Sequence, residues 1–215
     1  LRRGDVPRQV FRFYTAGYND PSPVIDDEGM LYIAGEFDRD LPRAREVGQL
    51  TKVDPTNALN PIVWTFSETT NLESGIYGTP AIVGDTVVVT TDGGRLIGLD
   101  RGTGAMQWEL RLPGPLWASP VIVDGVLLVG DCGGFFHAFD VSNPAVAPPE
   151  LWSLELGSCI EATPAVWDGR IYIGTRGGHL YILGDASLVA SSTTTTSASR
   201  QGSATVDTGT PDYDG

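Results

Sequence analysis

A unit that recurs four times along the 215 residues limits what this chain can fold into more than any other feature. Each copy opens on Ser/Thr-Pro, with the prolines at 23, 80, 120 and 164, so that 22–35, 79–90, 119–130 and 163–174 align. The prolines lie 57, 40 and 44 residues apart, and a tryptophan recurs at 64, 108 and 152, twice at a spacing of 44. A period of this length is one supersecondary unit. Such a unit cannot bury its apolar side alone and must stack on its neighbours.

The copies share one internal grammar. A short apolar run follows Ser/Thr-Pro, then a turn at Asp85, Asp124-Gly125 or Asp168-Gly169. Asp-Gly is the sequence preference of a two-residue hairpin turn. A second β-branched run ends at Gly93-Gly94, Gly133-Gly134 or Gly177-Gly178, where glycine supplies the positive φ that a tight turn requires. A third run follows at 95–99, 135–139 and 179–183, and the tryptophan opens a fourth. Four antiparallel strands per period, with no helical periodicity, predict an all-β fold of β-propeller blades. Strands are expected near 23–25, 31–34, 50–53, 62–66, 80–83, 86–90, 95–99, 107–112, 120–123, 126–130, 135–139, 151–156, 164–167, 170–174 and 179–183.

The stretch Leu99-Asp100-Arg101-Gly102-Thr103-Gly104-Ala105-Met106-Gln107-Trp108 resembles the tryptophan-docking motif of the pyrroloquinoline-quinone (PQQ)-repeat propellers. The resemblance runs over about 11–183. The first unit keeps Val53-Asp54-Pro55 and Trp64; the third keeps Asp140 and Trp152 but has Ser142-Asn143-Pro144 in place of Thr-Gly. The resemblance implies that Trp64, Trp108 and Trp152 pack between adjacent blades. Phe11 lies 12 residues before Pro23, as Trp108 and Trp152 lie 12 before Pro120 and Pro164. Residues 9–15 are therefore expected as an outer strand, with Phe11 as a fourth docking residue. The chain then reads as one outer strand, three complete blades and three strands of a fourth. The expectation taken forward is about four blades of a seven- or eight-bladed propeller, the first Met-less residues fitting truncation. A ring of four, closed by the leading strand, is the alternative.

The net charge of −13 opposes binding to phosphate backbones, so nucleic acid is not an expected partner. No apolar run reaches the ~20 residues that a membrane-spanning helix needs. Quinoprotein dehydrogenases of the resembled superfamily hold PQQ and calcium with an acidic base and often an adjacent cysteine pair. Here the only cysteines are Cys132 and Cys159, and the aspartates at 85, 100, 124, 140 and 168 recur as turn residues. No cofactor, metal or catalytic residue is expected. His137 and His179 are read as polar strand positions, since two histidines without a third ligand make a poor zinc site. Cys132 falls in a turn between second and third strands, and Cys159 in the connection to the next blade. Both belong to one propeller face, so a disulfide is feasible; two buried thiols are the alternative.

The function expected is a non-catalytic binding or scaffolding module that is exported from the cytoplasm, with another protein or a surface ligand as partner. The alternatives are a piece of a PQQ-dependent quinoprotein dehydrogenase and the sensor domain of a larger signalling protein. The blades are expected to occupy 1–184. Residues 185–215, with their Ser/Thr run, are expected as a disordered tail or linker. The first unit carries extra residues, 36–48, between its second and third strands. Departures from a repeat are where selection for something besides folding acts. The expected partner face is therefore Phe37, Leu41, Arg43 and Arg45 on that insertion, with Asp92, Asp131 and Arg176 at neighbouring turns.

Overall fold

The computed structural model describes residues 6–185 apart from 16, 37–40 and 69–74. Phe37 and the Ser/Thr run lie outside the described residues. Among the described residues, fifteen strands form four consecutive antiparallel sheets. Blade I comprises β1 (Val24–Ile25), β2 (Leu31–Ala34), β3 (Leu50–Val53) and β4 (Ile62–Phe66). Blade II comprises β5 (Ala81–Val83), β6 (Thr86–Thr90), β7 (Arg95–Asp100) and β8 (Met106–Arg111). Blade III comprises β9 (Val121–Val123), β10 (Val126–Gly130), β11 (Phe135–Asp140) and β12 (Glu150–Glu155), and blade IV β13 (Ala165–Trp167), β14 (Arg170–Gly174) and β15 (Leu180–Gly184). Strand order within each blade follows chain order, so every connection is a hairpin.

The turn residues fix this meander locally. Asp124 and Asp168 sit at φ 49° and are followed by Gly125 at 77° and Gly169 at 68°, the double positive φ of a two-residue hairpin. Asp100 shapes the next corner: its carboxylate accepts the Thr103 backbone N–H and hydroxyl, both at 2.8 Å. Asp54 and Asp140 do the same with Thr56 and Ser142.

Blades stack through three apolar clusters. Tyr32, Leu50 and Trp64 of blade I meet Val87, Val89, Ile97 and Leu99 of blade II. Val88, Leu96 and Trp108 then meet Leu127, Val129 and Phe139 of blade III, and Leu128, Phe136 and Ala138 meet Ile173 of blade IV. A blade with a neighbour on both faces buries both, which is why all five residues of β6 are buried rather than every second one.

The docking tryptophans follow one rule. Trp64 reaches into the corner of blade II, donating from Nε1 to the Arg101 carbonyl at 3.0 Å. A Cβ added to Gly104, which has φ +74°, would lie 2.6 Å from the Trp64 ring, so that corner needs glycine. Trp108 repeats the contact one blade later, with Nε1 2.7 Å from the Pro144 carbonyl. Trp152 departs from it and is 40% exposed. Its equivalent receiving corner would start at Gly184-Asp185, where the described residues end.

Two expectations need correction. Residues 9–15 form no strand, and β15 has no fourth strand beside it among the described residues. Phe11, expected as a fourth docking residue, is only half-buried and lies outside any strand. The chain there leans on blade I's insertion instead: the Arg43 guanidinium lies 5.3 Å from the Phe13 ring centroid, and its Nε donates to the Tyr14 carbonyl at 3.3 Å. The insertion is partly helical. It holds α1 (Pro42–Val47), a six-residue helix with proline at its start, whose Ala44 and Val47 are buried.

Candidate functional site

The turns between second and third strands and the connections between blades share one face, and the backbone stitches them together. Each connection lies between two turns. Between blades I and II, Ile76 N–H donates to the Gly35 carbonyl (3.2 Å) and Asp92 N–H to the Gly75 carbonyl (3.1 Å). Between II and III the bonds are Leu116 N–H to Thr91 O and Cys132 N–H to Pro115 O; between III and IV they are Ile160 N–H to Asp131 O and Arg176 N–H to Cys159 O. A disulfide joins Cys132 to Cys159 and adds a covalent stitch to the last of these junctions. Side chains carried on this face are thus held by a continuous frame.

Three of those side chains occupy one repeat position, two residues before Ser/Thr-Pro: Tyr77, Trp117 and Glu161. With Asp92 they line a cleft of about 430 Å³. Trp117 is fixed by its indole N–H, 2.5 Å from an Asp92 carboxylate oxygen. Glu161 pairs with Arg176 at 3.2 Å. Tyr77 is pushed up to about 12, first by burial and then by the Glu36, Asp92 and Asp20 carboxylates, with Glu36 also accepting its hydroxyl. A tyrosine held neutral among carboxylates, beside an indole, makes a surface that is aromatic in its walls and acidic at its rim. Such a surface suits a flat or long-stemmed cationic group.

Sequence reasoning placed Asp92 and Arg176 on this face but missed Tyr77, Trp117 and Glu161. The signal was present: the residue two before each Ser/Thr-Pro varies while the motif after it does not.

The remaining expected face residues divide. Leu41 and Arg45 are exposed on α1 and its approach. Arg43 is engaged with Glu46 at 2.7 Å as well as with Phe13 and Tyr14. Asp131 is fully buried and is corrected to a structural residue. Its carboxylate accepts the Phe135 N–H (2.8 Å) and the Gly114 N–H (3.2 Å) and lies 3.4 Å from Nε2 of His137. His137 is itself buried, with Nδ1 2.8 Å from Glu150 and the Phe139 ring stacked on it at 6.0 Å. His179 is exposed. Among the described residues, Cys132, Cys159 and Glu161 are the one grouping of metal-type donor atoms, and the disulfide removes both thiolates from it. Calcium seeks six to eight oxygens, so this donor set does not fit the calcium that accompanies PQQ. No helix among the described residues is long and apolar enough to cross a membrane.

Stacked antiparallel blades, with Trp64 and Trp108 docked in the corners of blades II and III, define a β-propeller of the PQQ-repeat class. The chain belongs to the family described as outer membrane protein assembly factor BamB, whose model matches residues 48–183. Among solved structures it is similar to BamB from Moraxella catarrhalis, with TM-score 0.63 and 23% identity over 81% of this chain and 49% of that one. The chain thus spans about half the length of that BamB. It is also similar to the computationally designed Ika4 protein, with TM-score 0.62 and 10% identity over 83% of this chain and 99% of that one. No curated protein matches it in sequence.

Proposed function

We propose that this chain is a non-catalytic binding and scaffolding propeller working outside the cytoplasm, and that it holds a protein partner by basic side chains entering the Tyr77–Trp117 cleft. The cleft carries the reading. Its aromatic walls and its Asp92 and Glu161 carboxylates sit on a frame stitched by hydrogen bonds at every junction. Arginine and lysine present a cation on an apolar stem, and both parts find a counterpart there. The net charge of −13 draws a basic partner in and raises its rate of encounter. Arg176, paired with Glu161, then lies at the cleft edge, and exposed Leu41 and Arg45 would be further contacts for a partner. The family description as an assembly factor supports a protein partner and a place outside the cytoplasm. The disulfide agrees with an oxidising compartment.

The test uses an array of extended peptides that differ only in Arg, Lys, Asp or Ser at central positions. Arg- and Lys-bearing members should be retained, more weakly at high salt, and Trp117→Ala should cost at least about tenfold in affinity, the scale of one cation–π contact. Equal retention of Asp-bearing peptides, or retention indifferent to Trp117→Ala, defeats the reading. Saturable, stoichiometric binding of PQQ would replace it with the quinoprotein alternative.

A further inference from the structure

One position of the blade repeat changes its chemistry at the third copy. Glu36, Asp92, Cys132 and Arg176 are equivalent, each the second residue after the second strand of its blade. In blade I Glu36 accepts the Tyr77 hydroxyl, and in blade II Asp92 accepts the Trp117 indole N–H at 2.5 Å. Each carboxylate thereby ties a turn to the connection that leaves the same blade. Blade III has Cys132 where the carboxylates stand and Glu161 where the aromatic residues stand. Its tie is covalent, from Cys132 to Cys159, two residues before Glu161. The repeat does not require such a bond. The pairs equivalent to Cys132 and Cys159 are Glu36 with Gly75 and Asp92 with Pro115, neither of which contains sulfur. The backbone closes all three junctions alike, with Ile160 N–H on the Asp131 carbonyl as Ile76 is on Gly35 and Leu116 on Thr91.

The disulfide is connected to two walls of the cleft. Cys132 N–H donates to the Pro115 carbonyl at 2.9 Å, two residues before Trp117. On the other side, the Cys159 carbonyl accepts the Arg176 N–H at 2.9 Å, and Cys159 Sγ lies 3.9 Å from Oε1 of Glu161. The Arg176 guanidinium pairs with that same oxygen at 3.2 Å. One covalent bond therefore joins the segment that carries Trp117 to the segment that carries Glu161. Both cysteines are part-exposed although blade III has a neighbour on either side, so a small reductant can reach the bond.

We propose that Cys132–Cys159 is a thiol–disulfide exchange site that sets the grip of the Tyr77–Trp117 cleft on basic groups, strong when bonded and weak when reduced; the proposal rests on the reading of that cleft as a binding site. The co-reactant is a dithiol. One of its thiolates attacks a cysteine sulfur, breaks the S–S bond and forms a mixed disulfide; its second sulfur then displaces the cysteine. The dithiol leaves as its own disulfide, and two electrons and two protons end on Cys132 and Cys159. The backbone bonds of the junction remain, so the blade persists. Trp117 and Glu161 lose their shared covalent reference, and a ligand must order them as it binds. Ordering side chains at an interface on that scale weakens affinity between about two- and tenfold.

Calorimetric titration of an extended peptide with a central Arg into the full chain, before and after treatment with a dithiol, tests this. The reduced protein should bind between about two- and tenfold more weakly and recover on reoxidation. Equal affinity, or tighter binding after reduction, overturns the proposal. Far-ultraviolet circular dichroism should show the sheet intact in the reduced protein; its loss also overturns the proposal, because the bond then holds the fold and not the cleft. The double variant Cys132→Ser/Cys159→Ser should bind as the reduced protein does, and a response to dithiol that persists in it counts against the assignment. Trp152→Ala loosens blade III away from the cleft and should leave the affinity unchanged; an equal loss there makes the effect one of general stability. The Trp117 indole N–H resonance, assigned by its absence from Trp117→Phe, should shift on reduction while those of Trp64 and Trp108 stay, and an unmoved Trp117 signal overturns the proposal. An oxidised protein that does not bind the peptide defeats the cleft reading, and the grip with it. The indole signal, which needs no ligand, then shows separately whether the bond governs Trp117.

Discussion

Replacing Trp108 with alanine removes the side chain that locks blade II to blade III. The indole is 6% exposed and packs with Val88, Leu96, Leu127, Val129 and Phe139. A tryptophan buries roughly 200 Å² on folding, worth about 5 kcal/mol at ~25 cal/mol per Å². Measured Trp→Ala losses in cores run about 3–5 kcal/mol, so about 4 kcal/mol is expected. The lost hydrogen bond to the Pro144 carbonyl adds little, because water can reach the emptied corner. For a chain of this size each kcal/mol lowers the midpoint by about 2–4 °C, so thermal unfolding should move down by about 8–16 °C. Trp152 is the internal control. It occupies the same repeat position at 40% exposure, and its alanine variant should lose roughly two thirds as much on area grounds. Urea unfolding followed by far-ultraviolet circular dichroism measures both. A Trp108→Ala loss under about 1 kcal/mol, or a Trp152→Ala loss equal to it, would refute the corner-docking account.

Reducing the Cys132–Cys159 bond, which spans 27 residues, should cost about 3.5 kcal/mol by loop-closure entropy, read as a shift in urea midpoint with and without reductant. Arg95 pairs at once with fully buried Glu68 (3.0 Å) and with Glu109, and it holds the Glu109 carboxyl below its ordinary range through their side-chain bond. That stabilisation is present above the ordinary carboxylate pKa of ~4.3 and fades as pH falls through the depressed value. Arg95→Leu strands the buried Glu68 charge and should cost about 3–5 kcal/mol at neutral pH. The gap to wild type should narrow as pH falls through the depressed Glu109 value; a gap independent of pH would show that the pair does not supply it. Tyr77 should stay protonated at pH ~11, so Tyr77→Phe should leave tyrosinate absorbance unchanged there and lower it only at higher pH.

Fold was legible because it is written locally and four times over. Asp124-Gly125 and Gly133-Gly134 can serve little besides hairpins, and the β-branched runs between them have the length of strands. All fifteen described strands could be bounded within a residue or two because most are enclosed by such turns. The short helix at Pro42–Val47 was hidden by its brevity and by the mixed charges around it. Its stability comes from burying Ala44 and Val47, which is a tertiary effect.

The site was less legible, for a reason that also marks where sequence stops. Tyr77, Trp117 and Glu161 lie tens of residues apart, and nothing in their neighbours announces that they converge. Only the stacking of blades brings one position of each repeat to a common cleft. Likewise Asp131 and Asp92 are both turn aspartates in sequence. Their fates separated only when Gly114 and His137 closed over one, while the other kept a place on the cleft wall. Phe11 had the right spacing for an outer strand, but spacing cannot supply the edge that a strand must pair with. The sequence by itself determined the blade, because hairpin turns and strand propensity act over a few residues. Which faces are buried, which tryptophan is covered and which carboxylates meet were decided by neighbours in space, because burial depends on what stands opposite.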